Sequence, residues 1–137
     1  MRIIKKITRT VKALWYANSY VTLDYQCDFI RFSRRLFRLM EVEYREDLRL
    51  VCFKTSEGHF GFCFASDVDD FPKDKETCDI CTVGRKVGFF AKTLNVATIL
   101  YDYGLPHDLR CRLSVHPVNV GKMKTFIIMP PHSPQQE

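Results

Sequence analysis

Arg31, Arg34, Arg35 and Arg38 place four guanidinium groups within a short stretch, and no acid interrupts the run from Phe29 to Met40. Residues of this type at this spacing point to phosphate. A planar guanidinium holds two phosphate oxygens at once, and every phosphate neutralised releases condensed counterions. A second basic group is Arg85, Lys86 and Lys92. A third opens the chain, where Arg2, Lys5, Lys6, Arg9 and Lys12 all precede the first acid. The rest of the chain balances, so the net charge of +5 resides in that opening segment. Opposing these groups is an acidic stretch of Asp67, Asp69, Asp70, Asp74, Glu76 and Asp79, relieved by Lys73 and Lys75. Charge segregated in this way creates a field that attracts phosphate. The competing reading of each cluster is a solvated face.

Other chemistries find less support. Cys78-Asp79-Ile80-Cys81 is a single CxxC pair. Tetrahedral zinc needs two more ligands, and His59 with Cys63, four apart on one strand face, are the nearest complement. No second CxxC or HxxxH completes that pattern, and neither a metal nor a cofactor is expected. Thioredoxin-like redox chemistry needs a strand before the pair and a helix at once after it, which this stretch lacks. Cys52, Cys63 and Cys111 lie in apolar runs, where a reduced cysteine acts as a small hydrophobe. His59, His107, His116 and His132 are scattered, and no Ser or Cys sits in a nucleophile elbow. Asp69, Asp70 and Asp74 lack the Gly and terminal Glu of a calcium loop. The six glycines are spread singly, so no phosphate-cradling loop exists. No enzymatic activity is expected.

These residues need a scaffold, and the chain is long enough to build one. Its 137 residues suit one domain, and 46% hydrophobic with 27% charged content allows a buried core. An aromatic content of 13% argues against disorder. No apolar run reaches the roughly 20 residues of a spanning helix, and Lys5, Lys6, Arg9 and Lys12 interrupt the stretch nearest to a secretory signal. A cytoplasmic, reducing setting follows as the expectation.

Five segments are expected. Residues 1–18 form a basic amphipathic segment, with Ile3, Ile4, Ile7, Val11, Leu14 and Trp15 at helical spacing. It is a short helix or a strand with an extended arm. It suits docking on the protein's own core, an anionic membrane surface or nucleic acid. Residues 19–66 form a first half. Strands are expected at Tyr20 to Tyr25 and Phe29 to Phe32, then a helix capped by Ser33 with Leu36, Leu39 and Met40 as its apolar stripe. Strands at Leu48 to Lys54 and His59 to Ala65 follow, joined by a turn at Gly58. Residues 67–82 read as an acidic linker around Pro72. Residues 83–130 form a second half. A strand is expected at Val83 to Phe90, then a helix from Ala91 to Tyr103, stopped by Gly104, with Leu94, Ala97, Thr98 and Tyr101 on one face. Strands at Leu109 to Val115 and Lys124 to Met129 complete it, with residues 116–121 as the connection. Residues 131–137 are a flexible tail.

The order of short strand, helix, strand, turn and strand thus occurs twice. Phe32-Ser33-Arg34-Arg35-Leu36 lies over Phe90-Ala91-Lys92-Thr93-Leu94, and Asp47-Leu48-Arg49 over Asp108-Leu109-Arg110. A half of about forty-five residues buries its apolar face poorly alone. The expected fold is therefore α+β, with two pseudo-symmetric βαββ halves forming one small antiparallel barrel-like domain. Either one chain completes it as a monomer with a pseudo-two-fold, or a homodimer does.

On these residues the chain resembles the AbrB/MazE-type swapped-hairpin domain. Ile30-Arg31-Phe32-Ser33 matches the first strand, Arg34-Arg35-Leu36-Phe37-Arg38-Leu39-Met40 the helix, and Asp47-Leu48-Arg49-Leu50-Val51 the strand after the turn. The layout also resembles a tandem-copy variant seen in uncharacterised Bacteroidetes proteins. The family's Gly-Asp before the post-helix strand is Glu46-Asp47 here and His107-Asp108 in the second copy. The resemblance implies a barrel of interlaced copies that binds double-stranded DNA. Its basic face would carry Arg31, Arg34, Arg35 and Arg38 with Arg85, Lys86 and Lys92, and Lys5, Lys6 and Arg9 as an accessory arm. The expected function is a DNA-binding regulator of transcriptional or antitoxin type. The alternative is a non-catalytic interaction module: an antitoxin, an adaptor, or a phage or mobile-element inhibitor of a host protein.

Overall fold

The computed structural model describes residues 18–68, 76–107 and 110–131. Alternating β-branched and aromatic residues build most of it. The strands are β1 (Tyr20–Asp24), β2 (Phe29–Phe32), β3 (Arg49–Lys54), β4 (Phe60–Phe64), β5 (Cys78–Val83), β6 (Lys86–Phe89), β7 (Cys111–Val120) and β8 (Met123–Ile128). Helix α1 (Arg34–Leu39) follows β2 and α2 (Val96–Asp102) follows β6. All strand pairs are antiparallel, and they close into an eight-stranded barrel in the order β1-β2-β6-β5-β3-β4-β8-β7. One chain is therefore enough to complete the barrel. Among the described residues no helix is long and apolar enough to cross a membrane.

The inward residues explain the closure. Val21 and Leu23 of β1, Ile30 of β2, Leu50 of β3, Phe60, Phe62 and Phe64 of β4, Phe89 of β6, Leu113 and Val115 of β7 and Phe126 and Ile128 of β8 share one core. Phe62 sits at its centre, with ring centroids 5.7 Å from Phe32, 5.3 Å from Phe89 and 5.4 Å from Phe126. Full burial of one such ring stabilises the fold by roughly 1.5–3 kcal/mol relative to leaving it in water. At one seam the core forces two backbones together. A Cβ on Gly88 would lie 1.9 Å from the Ile30 carbonyl oxygen, so only glycine lets β6 pair with β2 there.

The first half follows expectation closely. Ser33 caps α1, its Oγ accepting the Leu36 N–H at 3.2 Å. The same oxygen accepts the Tyr20 N–H at 3.0 Å and donates to the Asn18 carbonyl at 2.7 Å, which ties the helix to the start of β1. Gly58, at φ +86°, makes the turn between β3 and β4.

The second half departs in three places. Strand β5 occupies Cys78–Val83, running from the expected linker into the start of the expected Val83 to Phe90 strand, because Cys-Asp-Ile-Cys-Thr-Val is a β-rich run that turns back through Gly84 and Arg85. Helix α2 starts at Val96 rather than Ala91. Asn95 caps it by accepting the Thr98 N–H at 2.9 Å, and that start puts Val96, Ile99 and Leu100 inside. Tyr101, expected on the apolar face, is 79% exposed. The stop at Gly104 is as expected: the Leu105 N–H reaches the Leu100 carbonyl and the Gly104 N–H that of Tyr101. Finally, β7 continues through residues 116–120, where a connection was expected, and pairs with β8 as far as Val120 opposite Met123. The expected basic segment at 1–17, the acids Asp69, Asp70 and Asp74, and the tail beyond 131 lie outside the described residues.

Candidate functional site

Pairing of β2 with β6 sets Ile30 opposite Phe89 and Arg31 opposite Gly88. This brings the end of β2 and the first turns of α1 beside the hairpin between β5 and β6. The space between them is a groove of about 510 Å³. Its floor is Phe32, Phe37 and Val87, and its rim is Arg31, Arg34, Arg38, Arg85 and Lys86. Five of the expected basic residues, from segments some fifty positions apart, thus surround one concavity.

The cations differ in how they are held. Arg34, Arg38 and Arg85 are exposed, and Arg31 is half-buried with its Nη2 donating to the Thr22 hydroxyl at 3.4 Å. Among the described residues no carboxylate pairs with these four. Lys86 is different, since its ammonium lies 3.5 Å from the buried Asp24 carboxylate, which Arg110 also approaches at 4.0 Å. Burial pushes the Asp24 pKa up. The Cys27 N–H and the Lys86 ammonium outweigh that and hold the carboxyl below its ordinary value. Lys86 therefore faces an internal carboxylate as well as the groove.

The basic face extends further than the sequence indicated. Arg31 and Arg112 flank Thr22 in register on neighbouring strands, and the Arg112 guanidinium lies 4.8 Å above the Tyr20 ring. Strands about 4.8 Å apart then set Arg31 and Arg112 roughly 10 Å from one another across the barrel wall. Nothing local marks Arg112, because its placement follows from the β1–β7 pairing.

Two expected members fall elsewhere. Lys92 lines a separate small recess with Leu50, Cys52, Cys78, Ala91 and Thr93. It is displaced because the chain from Phe90 to Asn95 is not helical and leads away from the groove. Arg35 is half-buried on α1 and does not line the groove. Lys5, Lys6 and Arg9 lie outside the described residues.

The cysteine and histidine candidates do not gather either. Cys63 is buried on β4, whereas Cys78 and Cys81 are on β5, with β3 between the two strands. Among the described residues no three of His, Cys, Asp and Glu form a cluster able to hold a metal ion. The Cys78 sulfur instead lies 3.7 Å from that of Cys52.

An apolar floor of Phe32, Phe37 and Val87 under a rim of arginines that have no carboxylate partner among the described residues can take a phosphate group and the flat, apolar surface attached to it. No known protein family, curated protein or solved structure matches this chain.

Proposed function

We propose that this chain is a DNA-binding regulatory protein, of transcriptional or antitoxin type, which acts by binding rather than catalysis in the cytoplasm. The observation that carries this reading is the convergence of Arg31, Arg34 and Arg38 with Arg85 on one groove, without acidic partners among the described residues. Charges held together in this way neutralise neighbouring phosphates of one duplex.

The AbrB/MazE-like, twin-half reading also draws support from the topology. Exchanging β1 with β5, β2 with β6, β3 with β7 and β4 with β8 returns the same set of strand pairings. The exchange superposes inward residues on inward residues: Ile30 on Phe89, Leu50 on Leu113 and Phe60 on Phe126. The pairings β2–β6, β4–β8, β1–β7 and β3–β5 then join one half to the other, as interlaced copies require.

The test is fluorescence anisotropy with labelled duplexes of unrelated sequence at about 50 mM salt, where phosphate contacts are strong. Arg34→Ala, Arg38→Ala and Arg85→Ala combined should weaken binding at least roughly tenfold, by the same factor for every sequence. Absence of duplex affinity in the wild type overturns the reading. The protein-interaction module then takes its place, favoured by Tyr44 and Tyr101, each 79% exposed.

A further inference from the structure

We propose that Cys52 and Cys78 form an oxidisable dithiol site that closes to a disulfide across the β3–β5 seam. The two sulfurs already lie 3.7 Å apart. Leu50 sits directly opposite Cys78, so Cys52 is its diagonal neighbour on the same face of the ladder. A disulfide needs the sulfurs to close to about 2.05 Å. Cys78 is the first residue of β5, and residues 76 and 77 before it are not in a strand. The movement therefore falls at a strand end rather than within a ladder.

Both residues are half-buried, and both line the small recess that also carries Lys92. Cys63 is buried on β4, and Cys27 is exposed on the turn between β1 and β2. The contact between the sulfurs also divides their roles. The contact with Cys52 holds the Cys78 thiol below its ordinary pKa, and the same contact together with burial raises that of Cys52. Cys78, at the free start of β5, is the attacking sulfur, and Cys52, held within β3, the resolving one.

With hydrogen peroxide as oxidant, the Cys78 thiolate attacks one oxygen and the O–O bond breaks. Hydroxide leaves, takes up a proton as water, and Cys78 becomes a sulfenic acid. The Cys52 sulfur then attacks the sulfenic sulfur, loses its proton and expels a second water. Two thiols and one peroxide give one disulfide and two waters. The consequence is mechanical. The register pairs of this seam are Arg49 with Asp79 and Leu50 with Cys78, and a covalent link beside them staples the barrel where its ladder is short.

The test treats the full chain with excess hydrogen peroxide, then removes the oxidant. Intact mass should fall by two hydrogens, and digestion should yield a Cys52–Cys78 linked peptide that dithiothreitol releases. The linked protein should melt about 5–10 °C higher, as closure of a loop with the 26-residue separation of this pair implies. Cys52→Ser should abolish the mass loss and leave Cys78 as a sulfenic acid trapped by dimedone. Retention of both thiols in the wild type, or a disulfide joining other cysteines instead, overturns the proposal. Cys52→Ala serves as a second variant and must likewise fail to form the link.

Discussion

Replacing Gly88 with alanine tests the packing that brings the two basic segments together. The added Cβ would meet the Ile30 carbonyl oxygen at 1.9 Å, its carbon at 2.8 Å and the Phe29 ring at 2.8 Å. Two of these are backbone atoms, so no rotamer change relieves the contact and β6 must move off β2. Overpacking of this kind costs about 1–3 kcal/mol. Weakening the ladder around Arg31 and Gly88 adds about 0.5–1.5 kcal/mol for each hydrogen bond lost. The sum is about 3–5 kcal/mol, a large part of the roughly 5–15 kcal/mol that holds a domain of this size together. With a urea m-value near 2 kcal/mol/M, the unfolding midpoint should fall by about 2 M. Gly61→Ala is the control. Its Cβ would meet the ends of the Ile127 and Phe53 side chains at 2.9 Å and the Phe126 carbonyl oxygen at 3.0 Å, contacts that flexible tips relieve in part. Equilibrium unfolding followed by circular dichroism should rank Gly88→Ala well below Gly61→Ala. A Gly88→Ala midpoint within about 0.3 M of wild type, or the reverse ranking, refutes the close-approach argument.

Four further outcomes follow from the same structure. Tyr103→Phe removes a hydroxyl that accepts the Phe60 N–H at 2.9 Å and donates to the Ile128 carbonyl at 2.5 Å, so thermal melts should show a loss of about 1–3 kcal/mol; no loss would show that water replaces the bridge. Ser33→Ala strips the α1 cap and the ties to Asn18 and Tyr20, for about 2–3 kcal/mol in urea unfolding. Asp24 has a folded pKa held below its unfolded value, so its contribution is full above the ordinary aspartate range of about 4 and is lost as pH falls through the folded value. The stability gap between wild type and Asp24→Asn should therefore hold steady from about pH 7 to 5 and shrink below about pH 4; a gap unchanged to about pH 2 contradicts the pairing. If Arg31, Arg34, Arg38 and Arg85 each hold one phosphate, log Kd against log salt should have a slope near 3.6, and each Arg→Ala should lower it by about 0.9.

Features governed by neighbours in the chain were legible in the sequence. Ser33 before an apolar stripe marks a cap, and Gly58 between two β-rich runs marks a hairpin; both are found. Strand β5 was hidden because its CxxC and Asp79 carry metal and linker signals over a run that also alternates as a strand. Helix α2 is shorter than its residue pattern indicates because the loop at 90–95 contains ordinary helix formers, while the decisive residue is Asn95, whose cap sets the buried face. The basic groove was half legible. Arginine spacing on β2 and α1 supplies one wall, but the other depends on β2 meeting β6, a contact between distant segments with no local signature. Lys92 is close to Arg85 and Lys86 in sequence, and a change of chain direction after Phe89 separates it from them. Arg112 and Asp24 emerge only with the strand register.

Closure of the barrel limits how any partner can approach. A sheet with an open edge can be lengthened by a foreign strand, which borrows the host's unused amides and carbonyls. Here each of the eight strands has a neighbour on both sides, so that route is narrowed to the stretches where a ladder stops short. Two such stretches are residues 51–54 of β3, beyond its pairing with β5, and the outer end of β7, whose ladder beyond Val115 runs to β8 and where Pro117 lacks an amide hydrogen to offer. Over the rest of the circumference recognition is left to side chains, and a binding partner there reads this molecule by its projecting charges and rings rather than by extending its sheet.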